Sequence, residues 1–161
     1  MRRVKAGLFI FLISILFAAP GIAVDRLGHE RSFEAALSGN EEVPPVKTHA
    51  KGEAKFQINK EGDTLIYTLN ISNIKDVTAA YLQKGKKGKN GPPVINLFAE
   101  PKREDVSGTL LAEGKVEPYQ LIGPLKGKSI HSLIQLMKAG KAYVNIQTKK
   151  HPDGEIRGQI K

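Results

Sequence analysis

The 161-residue chain has no cysteine and no tryptophan, and only 6 phenylalanines and 4 tyrosines. Without cysteine there is no disulfide framework, thiolate metal site, cysteine nucleophile or lipid-modified cysteine anchor. No phosphate-binding glycine loop, nucleophile elbow, zinc-protease helix or calcium loop occurs anywhere in the chain. A long hydrophobic run is missing as well: the uncharged apolar stretch from Leu8 to Ala19 falls short of the roughly 18 residues that a spanning helix needs. Arg2, Arg3 and Lys5 precede that stretch, and Pro20, Gly21 and Ala23 follow it, which is the pattern of a cleaved secretory signal over residues 1–23. The mature chain is expected to begin near Val24 and to act outside the cytoplasm, periplasmic or secreted, with no stable transmembrane span. Acid is scarce: 25 lysines and arginines face 16 aspartates and glutamates, for a net charge of +9. Loss of the signal removes three basic residues and no acid, which leaves a moderately basic +6.

About 138 residues then remain, enough for one domain with its own core. After a polar segment over 24–31, short stretches alternate apolar and polar residues between turn signals, the pattern of an antiparallel sandwich or barrel. Eight strands are predicted: SFEAAL (32–37), GEAKFQI (52–58), TLIYTLNI (64–71), VTAAYLQ (77–83), PVINLF (93–98), GTLLAEGKV (108–116), AYVNIQT (142–148) and EIRGQI (155–160). "KEGD" at 60–63 and "PDGE" at 152–155 supply turn glycines. Pro44 and Pro45 cannot donate to a ladder, so "NEEVPPV" is an edge or a rigid connection. One helix is predicted in "SIHSLIQLMKAGK", where Ile130, Leu133, Ile134 and Met137 recur at helical spacing. Ser129 is placed to cap it and Gly140 to end it, with the helix covering one end of the domain.

Five strings, "FEAALSGNEEVPPV", "VTAA", "NGPPVINLF", "AYVNIQT" and "HPDGEIRGQI", resemble the chordin-type (CHRD) domain, in order, from Ser32 to Lys161. The resemblance implies an all-β, antiparallel Greek-key β-sandwich of about eight strands with one short helix. That family occurs in exported bacterial and archaeal proteins and in the animal antagonist chordin, and its biochemical activity is poorly defined. Its members typically carry a His-X-His pair where this chain has Tyr81, Leu82 and Gln83, and a further histidine where Gln147 precedes Thr148. Residues i and i+2 of a strand share a face, so such a pair with a third imidazole could hold copper or zinc, as a comparable pair does in copper/zinc superoxide dismutase. Tyr81, Gln83 and Gln147 are poor replacements as ligands. The alternative is that the family's histidines are structural. Either way no tightly bound transition metal and no cofactor are expected.

Two constellations remain. Lys84, Lys86, Lys87 and Lys89 crowd the glycine-rich "KGKKGKNG"; the resemblance implies, if the family's histidine positions are close in space, that Lys149, Lys150 and His151 lie near them. Together they form a basic rim for an anionic partner such as a polysaccharide, lipid headgroups or an acidic protein; the plain alternative is a solvated loop. Nucleic acid is disfavoured, because no aromatic residues interleave the lysines. In "GEIRGQI", Arg157 shares a face with Glu155 and Gln159, and is read as meeting a carboxylate, Glu41 or Glu42, or alternatively as facing an anion. His29, His49, His131 and His151 are dispersed without chelating spacing. Paired acids such as Glu41 with Glu42 and Glu104 with Asp105 lie in expected loops. The resulting expectation is a non-enzymatic binding or envelope-structural module. A metal or redox protein of dismutase-like geometry is the alternative, and self-association the third possibility.

Overall fold

The computed structural model describes residues 31–97, 103–104 and 110–161. The expected signal, His29, Phe98 and Asp105 lie outside these residues. The strands are β1 (Ser32–Ser38), β2 (Lys51–Ile58), β3 (Leu65–Ser72), β4 (Val77–Lys84), β5 (Pro93–Asn96), β6 (Arg103–Glu104), β7 (Leu110–Val116), β8 (Ala142–Thr148) and β9 (Ile156–Gln159). One α-helix, α1 (Ile130–Lys138), precedes β8. The alternation read from the sequence is clearest in β3, where Leu65, Tyr67, Leu69 and Ile71 are buried while the residues between them face solvent; β8 and β9 are instead buried on nearly every residue. A ninth strand joins the eight expected. Two residues are too few to carry a periodicity, so β6 has no signature in the sequence.

All neighbouring strands pair antiparallel, in the order β5-β4-β8-β9-β1-β2-β3-β7-β6. The sheet doubles back on itself. At the β9/β1 junction a single pair, Ser38 with Arg157, is in register, supported by reciprocal backbone bonds of 2.9 Å between Glu34 and Lys161. Tyr67 of β3 then donates its hydroxyl to the Leu97 carbonyl just beyond β5, at 2.5 Å. Two strands far apart in the ladder thus lie face to face. Between the two halves sits one apolar core that includes Phe56, Leu69, Leu82, Ile95, Ile146 and Ile156.

The helix contributes Ile130, Leu133, Ile134 and Met137 to that core. Its end follows the expected chemistry. Gly140 has φ +61, and the Lys141 and Gly140 amides reach back to the Leu136 and Met137 carbonyls at 3.0 and 2.9 Å, the paired bonds of a Schellman stop. Its start does not. Ser129 occupies the N-cap position, but its side chain makes no capping bond; the hydroxyl lies 3.5 Å from that of Ser132 instead.

Candidate functional site

Residues directly opposite each other in an antiparallel ladder share a face. Across β5, β4, β8 and β9 this aligns Asn96, Tyr81, Asn145 and Arg157 in one row on the face away from the core, and Gln83, Tyr143 and Gln159 in the next. Gln147 lies opposite Ala79, diagonal to Tyr81. An outer sheet face normally meets water, yet Asn145 and Arg157 are only 3% and 1% exposed. Two loops cover them: the segment between β1 and β2, which contains "NEEVPP" and a cis Val43–Pro44 peptide, and the lysine loop between β4 and β5.

Arg157 holds the lysine loop down from beneath. Its guanidinium donates to the Lys86 carbonyl at 3.2 Å, the Lys89 carbonyl at 3.0 Å and Asn90 Oδ1 at 2.9 Å. It also stacks over the Tyr143 ring, 3.5 Å from the centroid. A planar fork of donors suits several fixed acceptors at once, which a lysine at this position could not match. The Tyr143 hydroxyl accepts from the Gly91 amide at 3.0 Å, and Asn90 Nδ2 donates to the Val43 carbonyl at 2.7 Å. Asn90 therefore ties one covering loop to the other. Gln159 adds bonds to the Gly85, Gly140 and Ala142 carbonyls, fixing the root of the loop.

Glu42, in the first covering segment, is turned inward and buried, at 5% exposure. Asn145 Nδ2 donates to both its carboxylate oxygens at 3.3 and 3.4 Å and to the Asp153 carbonyl at 3.2 Å. Desolvation raises the Glu42 pKa from its ordinary 4.5 to about 7, against the pull of nearby Arg157 and of the Val43 amide. Gly154, with φ +144, makes room for this contact: a Cβ there would lie 2.4 Å from Asn145 Nδ2 and 2.5 Å from Glu42 Oε1. Alongside, Glu155 accepts from the hydroxyls of Thr48 and Thr148 at 2.6 and 2.7 Å. The strings "NEEVPP", "NGPP", "AYVN" and "HPDGEIRG" thus meet in a single polar network that fastens two loops to one sheet face.

The placement of the sequence-derived residues follows from this network. Arg157 spends its hydrogen bonds on loop carbonyls and Asn90 rather than on a carboxylate. Glu42 feels its charge, while Glu41 pairs with exposed Lys87 at 3.2 Å. The six lysines divide into two groups. Lys84 lies opposite Ala142, and Val77 opposite Thr148, so Lys149 and Lys150 leave the far end of β8, about 20 Å along the strand. There Lys149 pairs with Asp76 at 3.2 Å. Tyr81, Gln83 and Gln147 share one face, as the i, i+2 spacing requires. Among the described residues, no group of three or more His, Asp or Glu side chains is arranged to hold a metal ion. Asn145, Tyr143 and Asn90 were not singled out from the sequence. The available signal was an asparagine in a strand otherwise as apolar as "AYVNI", where a buried polar residue demands a partner.

Two comparisons bear on these observations. Over 130 residues the chain is 26% identical to Chordin of Xenopus laevis; that stretch is 80% of this chain and 12% of Chordin, so the chain spans about an eighth of that relative. The CHRD domain family model matches residues 33–160, from the second residue of β1 to the residue after β9, and takes in every residue of the polar network. The chain belongs to the CHRD domain family.

Proposed function

We propose that this protein is a non-enzymatic binding module, exported by its N-terminal signal, that presents the lysine loop to an anionic partner. One observation carries the reading: the loop is pinned from beneath. The Lys86 and Lys89 carbonyls turn inward to Arg157, while the Lys84, Lys86, Lys87 and Lys89 side chains stand exposed around them. A solvated loop that serves only solubility needs no such anchoring. A pre-ordered loop loses little freedom on binding, so more of its electrostatic attraction appears as affinity. The Arg157 guanidinium, buried and already committed, acts as a positioning residue for the lysines rather than as an anion contact.

Reversing three of these charges (Lys86→Glu, Lys87→Glu and Lys89→Glu) is expected to weaken binding to a sulfated polyanion such as dextran sulfate by at least about tenfold. Wild-type binding should also weaken steeply as ionic strength rises toward 0.5 M. Titration calorimetry measures both. Affinity that is indifferent to salt and to the reversal would remove the loop from the binding role.

A further inference from the structure

We infer that the anionic partner is a polysaccharide, with Tyr81, Gln83 and Gln147 reading its sugar rings beside the charge-reading lysines; this rests on the binding role proposed for the loop. The outer sheet face divides into two unlike halves. Over β8 and β9 the polar side chains are covered and their donors are bonded within the protein, Arg157 and Gln159 to backbone carbonyls and Asn145 to Glu42 and Asp153, with Tyr143 held at Gly91; the Asn145 Oδ1 and Gln159 Oε1 acceptors alone are buried without a partner among the described residues. Over β4 and its border with β8 the pattern reverses. Tyr81, Gln83 and Gln147 are half-buried, and among the described residues none of their side chains has a hydrogen-bond partner.

A half-buried amide or phenol held on a rigid strand, with no internal partner, meets its hydrogen-bonding demand from outside the molecule. Two amides each offer a donor pair and an acceptor, which suits adjacent hydroxyls. A tyrosine offers an apolar ring and a polar tip to the same ligand. The register sets the three on one plane, with Gln83 two residues from Tyr81 and Gln147 diagonal to it. The lysine loop leaves that plane after Lys84, the last residue of β4 and the neighbour of Gln83. A flat array of amides and one phenol beside fixed positive charge complements a chain of hydroxylated rings carrying carboxylate or sulfate groups. Lipid headgroups would use the charge and leave the amides idle.

The test compares four polymers against the protein by calorimetry: polygalacturonate, dextran sulfate, uncharged dextran, and polyphosphate as charge without sugar. Wild-type protein is expected to bind one or both charged polysaccharides, and the carboxylated and sulfated chains separate the two sources of charge. The variants Tyr81→Ala and Gln83→Ala/Gln147→Ala are expected to weaken that binding about tenfold, to leave polyphosphate binding unchanged, and to lower the melting temperature by about a few degrees at most, since these half-buried side chains make no hydrogen bond within the described fold. Tyr81→Phe should lose less than Tyr81→Ala if the ring itself is used. Unchanged polysaccharide affinity in both alanine variants would overturn the inference and leave the lysine loop standing. Equal losses on polyphosphate would overturn it too, by showing that the substitutions disturb the lysine loop and not a sugar-reading face. A lysine reversal without effect on any polymer would instead remove the reading on which the inference rests.

Discussion

Glu42 is the residue whose chemistry departs furthest from its ordinary behaviour. A carboxyl group raised from 4.5 to about 7 keeps its proton in the folded state while the unfolded chain has already lost one. Between those pH values folding therefore takes up a proton, so this group's contribution to stability is greatest below pH 4.5 and is lost as pH rises through 7. Glu42→Gln keeps the shape and an acceptor for Asn145 but cannot ionise. The melting temperature of the variant relative to wild type is expected to rise steadily from pH 5 to pH 7 and to level off above pH 8. A relative melting temperature that rises as pH falls would mean that Glu42 is held as a carboxylate by Arg157. The sequence marks Glu42 only as one of two adjacent acids, either of which could meet Arg157. Its burial follows from the turn of Gly39–Glu41 and from the space left by Gly154 over one hundred residues away, and neither appears in a local pattern.

Among the elements, the lysine loop owes its shape to close backbone approaches rather than to its lysines. Gly91 is the tightest point: a Cβ there would lie 1.8 Å from the Lys84 carbonyl oxygen, and its amide is the one held by Tyr143. Gly91→Ala is expected to destabilise the protein by about 2 kcal/mol or more, the range of a forced backbone shift. It should also speed hydrogen exchange at the Lys84 and Gly85 amides, which bond to the Pro92 and Lys141 carbonyls. Unaltered exchange there would show that the loop accommodates the methyl group without opening. Strands and helix were legible in the sequence because burial imposes a period of two or near four on side chains, as in β3 and α1. The polar network was legible only in part. The i, i+2 placement of Tyr81 with Gln83 follows from strand geometry alone, and Arg157 is conspicuous as a charge between isoleucine and glycine in "EIRGQI". The acceptors of Arg157 are backbone carbonyls, which every residue carries, so no side-chain pattern names Lys86 and Lys89 as its partners. Separation of the lysines into two groups depends on the β4/β8 register, which composition does not contain.

At the scale of the whole molecule, the doubled-back sheet gives its two faces different tasks. The inner face makes one apolar core that α1 joins through Ile130, Leu133, Ile134 and Met137. The outer face of β4, β8 and β9 supports two loops that are distant in sequence and joined through Asn90. The two faces thus differ in their work: the core carries most of the stability, and the network, while adding to it, orders a basic loop at the surface of a chain carrying net charge +9. This ordering can be tested without altering any charge. Asn90 is exposed apart from its bonds to Arg157 and the Val43 carbonyl, so Asn90→Ala removes the tie between the two covering loops and one of the three Arg157 bonds to the lysine loop, loosening it while retaining every lysine. The most direct measurement is the affinity of Asn90→Ala for dextran sulfate at fixed ionic strength, alongside hydrogen exchange of the loop amides. If the pinned loop is the binding element, exchange quickens and affinity falls ~3- to 10-fold, the cost of ordering the loop on binding. Quickened exchange with undiminished affinity would contradict it, leaving the lysines as charge without placement.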